Sequence, residues 1–181
     1  MQYPLISEYI EAIRYAEDNF DKLSNLRPVL DDNGKPVMSS GNFAVVFKMK
    51  DIETGKMYAV KCFTREQEER EERYREIIKV LEHVKSPYFV STQYYDKELF
   101  VDTSQGDETE FPVLVMDWVD GYPVDQFIQD NISNKYRLQL LTYNFCQLGV
   151  WLLSQQIAHG DLKPDNIIVR EDFSLVVVDY D

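Results

Sequence analysis

The sequence predicts an α+β fold, in which strands form an antiparallel sheet and helices pack beside it. Three observations support this prediction. The first part of the chain is rich in short β-prone runs between turn signals, the second part carries apolar residues at helical spacing, and a strand hairpin comes last. Such segregation is typical of an antiparallel sheet with helices to one side, and it disfavours a parallel βαβ fold.

Length, composition and charge narrow the class of protein. The chain has 181 residues, of which 44% are hydrophobic and 28% charged, so it can bury a core. A total of 19 lysines and arginines against 32 aspartates and glutamates gives a net charge of −13, which disfavours nucleic acid and membrane partners and hints at basic ones. The sequence shows no disulfide or zinc spacing, no signal peptide and no apolar span, so a cytoplasmic protein is expected.

Local signals predict the elements of the first part. Apolar residues at helical spacing predict one amphipathic helix from residue 7 to residue 23. An Asn-Gly turn at residues 33–34 predicts a hairpin. A capping box at residues 64–67 predicts the start of a long acidic helix that ends before Pro87. The β-prone runs occupy residues 26–30, 35–39, 43–49 and 57–63.

The second part alternates between strand and helix patterns. A polar loop is predicted at residues 103–110, and Gly121 and Pro123 break the chain before the helices. Apolar spacing predicts helices at residues 124–132 and 134–156. The predicted strands of this part occupy residues 88–95, 98–102, 111–118, 167–169 and 175–178.

The segment richest in chemically active side chains is His-Gly-Asp-Leu-Lys-Pro-Asp-Asn at residues 159–166. Taken alone, its last two residues would be ordinary turn caps of a surface loop. The octet as a whole resembles the catalytic loop of the protein kinases, HRDxKxxN. By this resemblance Asp161 orients the attacking hydroxyl or accepts its proton, Lys163 offsets charge on the transferring phosphoryl group, and Asn166 holds magnesium.

The triplet Asp-Tyr-Asp at residues 179–181 lies 18 residues after Asp161. A lone aspartate after an apolar run ordinarily marks a strand end. At this interval from the octet the triplet resembles the family's DFG motif, which makes Asp179 a ligand of the magnesium that bridges the β- and γ-phosphates. Asp181 replaces the family's glycine, whose backbone angles an aspartate adopts only at a cost.

A lysine in a predicted strand resembles the phosphate-gripping lysine of the same family. The four residues around it, Ala-Val-Lys-Cys, match the strand motif VAIK. Lys61 is therefore expected to contact the α- and β-phosphates and to pair with a glutamate on the following helix. Glu76 fits the family's position best, and Glu72, one turn earlier, is the alternative.

Residues 39–46 align with the family's glycine-rich loop, GxGxxGxV. Gly41 keeps the middle glycine, whereas Ser39 and Ala44 replace the outer two. Backbone amides must approach phosphates without obstruction, and serine and alanine are the next smallest residues. A working loop of reduced affinity is therefore expected.

Residues 113–121 resemble the strand and hinge that receive adenine in this family. Met116 takes the gatekeeper position, and the backbone of Asp117 and Val119 is expected to hydrogen-bond the base. The resemblance implies an apolar pocket, which is the usual form of a cofactor site. The side chains expected to wall it are Val46, Ala59 and Ile168.

Five motifs in the family's order identify residues 39–181 as similar to the protein kinase-like superfamily. The implied architecture is a two-lobed α+β fold with a complete small lobe, made of an antiparallel sheet and an αC-type helix, and the first part of a helical large lobe. We expect a helical extension at residues 1–25, the small lobe at 26–118, and the hinge and partial large lobe at 119–181.

The resemblance implies ATP- and Mg²⁺-dependent phosphoryl transfer to serine and threonine hydroxyls of proteins. Lys163 is typical of serine/threonine protein kinases, whereas Gly160, in place of the usual arginine, also occurs in aminoglycoside- and choline-type phosphotransferases. The third alternative is a pseudokinase that acts as a binding or scaffold module, which the altered glycine-rich loop and Asp181 favour.

The sequence ends on the DFG-like triplet, and this position sets an expectation for activity. In the family, the activation segment and the helices that hold a peptide substrate follow this position. The chain is therefore expected to bind nucleotide but to phosphorylate a protein poorly or not at all.

Overall fold

A computed structural model describes residues 2–84, 86–155 and 158–180. The chain divides into two compact units. The first comprises Met1–Arg75 and Thr92–Trp118, and the second comprises Glu76–Ser91 and Val119–Asp181. The observed architecture is α+β, as the sequence predicts.

An antiparallel sheet forms the centre of the first unit. Within the described residues the sheet has six strands, which are β1 (Leu26–Pro28), β2 (Met38–Ser40), β3 (Ala44–Asp51), β4 (Met57–Phe63), β5 (Thr92–Phe100) and β6 (Glu110–Asp117). Their order is β1-β3-β4-β6-β5, and β2 also pairs with β3. The helices of this unit are α1 (Ile6–Arg14), α2 (Ala16–Asn19) and the first part of α3 (Arg70–His83).

The N-terminal helices cover one face of this sheet. Side chains of a strand alternate between two faces, and one of the two faces packs against α1 and α2 to form the hydrophobic core. Tyr9 and Ile13 are wholly buried there, and the Tyr9 hydroxyl donates to the carbonyl oxygen of Phe63 at 2.7 Å. The sheet contributes to this core Val45, Phe47, Met49, Val60, Cys62, Leu99, Phe111, Val113 and Val115.

Two buried or half-buried carboxylates fasten the N-terminal segment to the sheet and its loops. Glu98 of β5 is 2% exposed and accepts hydrogen bonds from the amides of Lys22 and Leu23 at 2.7 and 2.8 Å. Burial raises the pKa of Glu98, and these two amides oppose the rise. Glu8 of α1 accepts hydrogen bonds from the amide and the hydroxyl of Ser104, at 2.9 and 2.8 Å, which tie the predicted polar loop to the helix.

Of three local predictions for the first unit, two are wrong in detail and one is confirmed. The predicted N-terminal helix is divided at Tyr15, whose φ of −110° and ψ of 44° interrupt the helix. The capping box does not start a helix: α3 begins at Arg70, because Glu69 has a φ of +58° that a right-handed helix excludes. The predicted hairpin does form around the Asn-Gly turn. The amides of Asp31 and Val37 donate to the carbonyl oxygens of Lys35 and Val29, both at 2.8 Å, on either side of the bridge between Leu30 and Pro36, while β1 and β2 each pair with β3.

The second unit combines helices with a small sheet. Its helices are α4 (Val124–Asp130) and α5 (Lys135–Ser154), and Asn134 caps α5 by accepting a hydrogen bond from the amide of Arg137 at 3.1 Å. The antiparallel strands run in the order β7 (Tyr122–Pro123), β8 (Ile167–Val169) and β9 (Leu175–Val177). No helix in the described ranges combines the length and the apolar composition needed to cross a bilayer.

Gly121 permits the close approach between the start of β7 and β8. Its φ is +156°, and a Cβ atom at this position would lie 2.4 Å from the carbonyl oxygen of Val169. The core of this unit lies beneath the sheet and is formed by Val124, Phe127, Leu141, Leu148, Ile167, Val169, Leu175 and Val177.

Candidate active site

In the first unit, the predicted nucleotide-binding side chains share the sheet face opposite the hydrophobic core. The strand register pairs Val46 with Lys61, and Lys61 with Leu114. It also pairs Ala59 with Met116. Because side chains two residues apart point to the same face, Val46, Ala59, Lys61 and Met116 lie on one surface. Ile168, the remaining predicted wall residue, belongs to β8 of the second unit.

The loop that resembles the glycine-rich motif is a tight turn between β2 and β3. Ser39 pairs with Val46 in the strand register, and the Gly41 amide donates to the carbonyl oxygen of Ala44 at 2.9 Å. Ser39 and Gly41 are exposed, and Ala44 is buried. A Cβ atom at Gly41 would meet the Ala44 carbonyl oxygen at 3.8 Å, an ordinary contact, so packing alone does not demand glycine here.

Lys61 is a buried cation in the middle of β4. Its side chain is 6% exposed, and its Nζ lies 3.4 Å from the hydroxyl of Tyr74 on α3, at the long end of the hydrogen-bonding range. The same ammonium lies 5.9 Å from the ring centre of Phe63 and 6.0 Å from that of Tyr74. A lysine is almost never fully buried unless its charge is paired, so this ammonium needs polar partners.

The two glutamates predicted to pair with Lys61 are exposed residues of α3. Glu72 lies in the first unit, and Glu76 begins the segment assigned to the second. The hydrogen bond described above joins Lys61 to Tyr74 of the same helix, and the pairing of Lys61 with Glu76 or Glu72 stays a prediction. In the sequence, Tyr74 is one of the apolar positions of the predicted acidic helix. A tyrosine at a buried position, one turn before two isoleucines, also signals a hydroxyl that needs a partner.

The predicted hinge begins where β6 ends. The amide of Trp118 donates to the carbonyl oxygen of Met57 at 3.1 Å, so the segment stays attached to β4. Asp117 forms an ion pair with Lys56 at 2.7 Å, and this hydrogen bond raises the pKa of the Lys56 ammonium. Val119, the second predicted adenine contact, belongs to the second unit.

In the second unit, the octet brings its three predicted functional side chains together. The carboxylate of Asp161 forms an ion pair with the ammonium of Lys163. The amide nitrogen of Asn166 donates to the backbone carbonyl of Asp161 at 2.9 Å and to its carboxylate at 3.1 Å. The hydrogen bond from Lys163 lowers the pKa of Asp161, and the same bond raises the pKa of Lys163.

The strand end before Asp179 is held against the octet. The Val178 amide donates to the carbonyl oxygen of Asn166 at 2.9 Å, and Nε2 of His159 lies 3.0 Å from the carbonyl oxygen of Val178. Asp179 follows with a φ of +63°, a left-handed conformation that is uncommon for a residue with a side chain. Asp181, the departure from the family's glycine, lies outside the described residues.

The donor set of Asn166 and Asp179 fits a magnesium ion. The amide nitrogen of Asn166 is committed to Asp161, which leaves its Oδ1 as the atom of this side chain that can bind a cation. Asp179 contributes a carboxylate from a half-buried position one residue after the Val178 amide that bonds Asn166. Carboxylate and amide oxygens are the ligands that magnesium prefers.

Two further residues fix this arrangement and were assigned no role from the sequence. The ring of His159 lies 5.2 Å from that of Tyr180. The Tyr180 hydroxyl donates to the carbonyl oxygen of Val177 at 2.7 Å and accepts from the amide of Val90 at 3.1 Å. His159 begins the octet and Tyr180 directly follows Asp179, so their closeness in sequence to the predicted functional aspartates was the available signal.

Comparison with known proteins identifies the family of the chain. The α+β fold and the motifs of the site are those of the protein kinase-like class. The family model described as the protein kinase domain matches residues 34–181 of the sequence. The chain therefore belongs to the protein kinase family.

The similar curated proteins are named as serine/threonine-protein kinases. CG17528 of Drosophila melanogaster is 26% identical over 138 residues, which cover 75% of this chain and 17% of the relative. GL21140 of Drosophila persimilis is 28% identical over 144 residues, which cover 78% of this chain and 18% of the relative. The protein cds1 of Schizosaccharomyces pombe is 27% identical over 151 residues, 79% of this chain and 31% of the relative. The chain thus spans less than a third of the length of these relatives.

Proposed function

We propose that the chain binds ATP with magnesium and serves the transfer of the γ-phosphoryl group to serine and threonine hydroxyls of proteins. The observation that carries the proposal is the network around Asp161. Its carboxylate receives both Lys163 and Asn166, and the backbone of Asn166 also holds the strand end that leads into Asp179. A turn-capping loop has no need of a paired cation and a buried amide on one carboxylate.

Asp161 is suited to orient a hydroxyl group. Its lowered pKa keeps the carboxylate ionised at neutral pH, so it can accept the hydrogen of an alcohol. A carboxylate with a low pKa is a weak base, and it therefore takes the proton only as the oxygen of the alcohol loses electron density to the phosphoryl group. Lys163 remains a cation at the same place because its pKa is raised.

The remaining site residues would hold the nucleotide. When bound, ATP would supply the phosphoryl group, and magnesium would offset the negative charge on the phosphate oxygens. Asn166 and Asp179 would hold the metal through Oδ1 and the carboxylate, and Lys61 would contact the α- and β-phosphates. The apolar face that carries Val46, Ala59 and Met116 would receive the adenine.

The nature of the acceptor is supported by the relatives, which are named as serine/threonine kinases. Gly160 supports the alternative of a small-molecule phosphotransferase, because its φ of +87° suits glycine and disfavours the arginine usual in protein kinases. Incubation with γ-labelled ATP and three acceptors, a serine/threonine peptide library, choline and an aminoglycoside, separates these classes. Label on either small molecule but not on the peptides would overturn the protein acceptor.

Nucleotide binding is tested by thermal shift with ATP in the presence and absence of magnesium. We expect the parent chain to be stabilised by the pair, and Asp179→Asn to weaken magnesium-dependent binding about tenfold or more, equivalent to about 1.4 kcal/mol. Asp165→Asn is the matched control, because it removes the same charge from an exposed position of the octet. No magnesium-dependent shift in the parent would favour a scaffold module, and an equal loss in both variants would contradict the role of Asp179.

A further inference from the structure

Tyr74 is the residue of α3 whose hydroxyl meets the buried ammonium of Lys61. We propose that Tyr74 is a positioning residue, which holds Lys61 in place for the phosphates of ATP. The proposal rests on the proposed function, which assigns those phosphates to Lys61. It adds to the predicted pairing of Lys61 with Glu76 or Glu72 a contact from the same helix that the sequence motifs do not assign.

The hydroxyl of Tyr74 is held in a fixed place by aromatic packing. Tyr74 is 4% exposed, its ring stacks on Tyr94 of β5 with ring centres 5.8 Å apart and an interplanar angle of 16°, and Phe63 of β4 packs against it at 5.7 Å. Tyrosine has two side-chain torsions, so a ring in contact with two neighbours has little freedom left. The Lys61 ammonium therefore meets a hydroxyl oxygen whose position is set by the packing of its ring.

Phe63, one of these two neighbours, is itself fixed from the N-terminal side. The guanidinium of Arg70 lies 4.1 Å from the centre of the Phe63 ring and 4.9 Å from that of Tyr3. The same guanidinium donates a hydrogen bond to the carbonyl oxygen of Arg65. Since Lys61 and Phe63 are two residues apart on β4, they share a sheet face, and the packing that fixes Phe63 also fixes the surroundings of Lys61.

A tyrosine at this position has a chemical advantage over a carboxylate. Its hydroxyl oxygen accepts a hydrogen bond from the ammonium but carries no charge. The contact with Tyr74 therefore orients the ammonium of Lys61 without itself neutralising the charge that a phosphate would meet. The contact length of 3.4 Å leaves room for a phosphate oxygen to compete for the ammonium hydrogens.

The proposal is tested by measuring the dissociation constants of ATP with magnesium and of adenosine for the parent and for Tyr74→Phe, which removes one oxygen atom from the stack. We expect ATP to bind about three- to tenfold more weakly, equivalent to about 0.7–1.4 kcal/mol, and adenosine to change less than about twofold. Adenosine lacks the phosphates that Lys61 contacts, so the loss of a positioning residue should spare its binding. A merely structural role of Tyr74 would weaken the binding of both ligands alike. Tyr94→Phe is the matched control and should leave both constants unchanged.

A double-mutant cycle with Lys61→Met completes the test. If Tyr74 acts through Lys61, Tyr74→Phe will weaken ATP binding less than about twofold in the Lys61→Met background. Equal effects of Tyr74→Phe in both backgrounds, or no effect in the parent, would overturn the proposal. Failure of the parent to bind ATP would instead overturn the proposed function itself, and the role of Tyr74 with it.

Discussion

Replacing Ile13 with alanine is expected to destabilise the first unit more than any single exposed change in the same helix. Ile13 lies on α1 and exposes none of its surface, because it packs in the core formed with one face of the sheet. Removing three carbon atoms from such a site costs the lost burial and the energy of the cavity left behind. For isoleucine to alanine in a core the cost is about 2–5 kcal/mol.

Urea unfolding followed by tryptophan fluorescence measures this cost. A Trp151→Phe background leaves Trp118 to report, and Trp118 belongs to the unit that contains α1. For a slope of about 2 kcal/mol per molar urea, the expected loss lowers the midpoint by about 1–2.5 M. The slope itself should stay constant, because the same surface is exposed on unfolding.

The control is Glu11→Ala, at an exposed position of the same helix. Its effect should stay within about 0.5 kcal/mol, since surface changes away from specific contacts rarely cost more. The reasoning would be refuted if Ile13→Ala cost no more than Glu11→Ala. That result would mean that α1 contributes nothing to the stability of the sheet.

Two further predictions concern pH and backbone conformation. Hydrogen bonds from Ser104 lower the pKa of Glu8 from its ordinary 4.5 to about 2, so its contribution to stability is complete above about pH 4.5 and is lost as the pH falls toward 2. Glu8→Gln should therefore flatten the acid dependence of the unfolding midpoint in this window, and parallel curves for the two proteins would contradict the assignment. Gly160→Ala should cost about 1–3 kcal/mol because φ is +87°, whereas Gly149→Ala, inside α5 with open space around it, should stabilise by about 0.5–1 kcal/mol. If the two substitutions changed the free energy of unfolding in the same direction, this pair of predictions would be refuted.

The motifs of the second unit could be predicted closely from sequence because their chemistry is local. Asp161, Lys163 and Asn166 lie within six consecutive residues. Because the loop between the helix and the strand is short, their side chains are brought close together. The link to Asp179 was also accessible, since β8 and β9 form a hairpin that returns the chain to the same end. Short-range order and turn chemistry were sufficient here.

The surroundings of Lys61 could not be predicted in the same way. The spacing of apolar residues correctly placed Tyr74 on the buried side of a helix, but its contact with Lys61 depends on how α3 packs against β4. That packing is set by residues distant in sequence, such as Tyr94 and Phe63. The predicted start of α3 is wrong for a related reason. The local capping pattern at residues 64–67 is overridden by the backbone conformation of Glu69.

The N-terminal helices show that a helix can be predicted from sequence more readily than the surface against which it packs. Helical spacing indicated an amphipathic segment, and the structure contains helices there. What this segment packs against cannot be read from its own residues, because any apolar sheet face would satisfy them. The tie between Glu98 and the amides of Lys22 and Leu23 joins positions more than 70 residues apart, which no local pattern indicates.

The alternation of side chains along β4 makes the unit sensitive to changes in chain length. Val60 and Cys62 point into the core beneath the N-terminal helices, whereas Ala59 and Lys61 point to the opposite face. Deleting one residue within β4 would exchange the two sets and place the Lys61 charge among apolar side chains. Natural insertions and deletions in this unit should therefore be confined to the connections between strands, such as residues 103–109. Changes of length there leave the register of the strands unaltered.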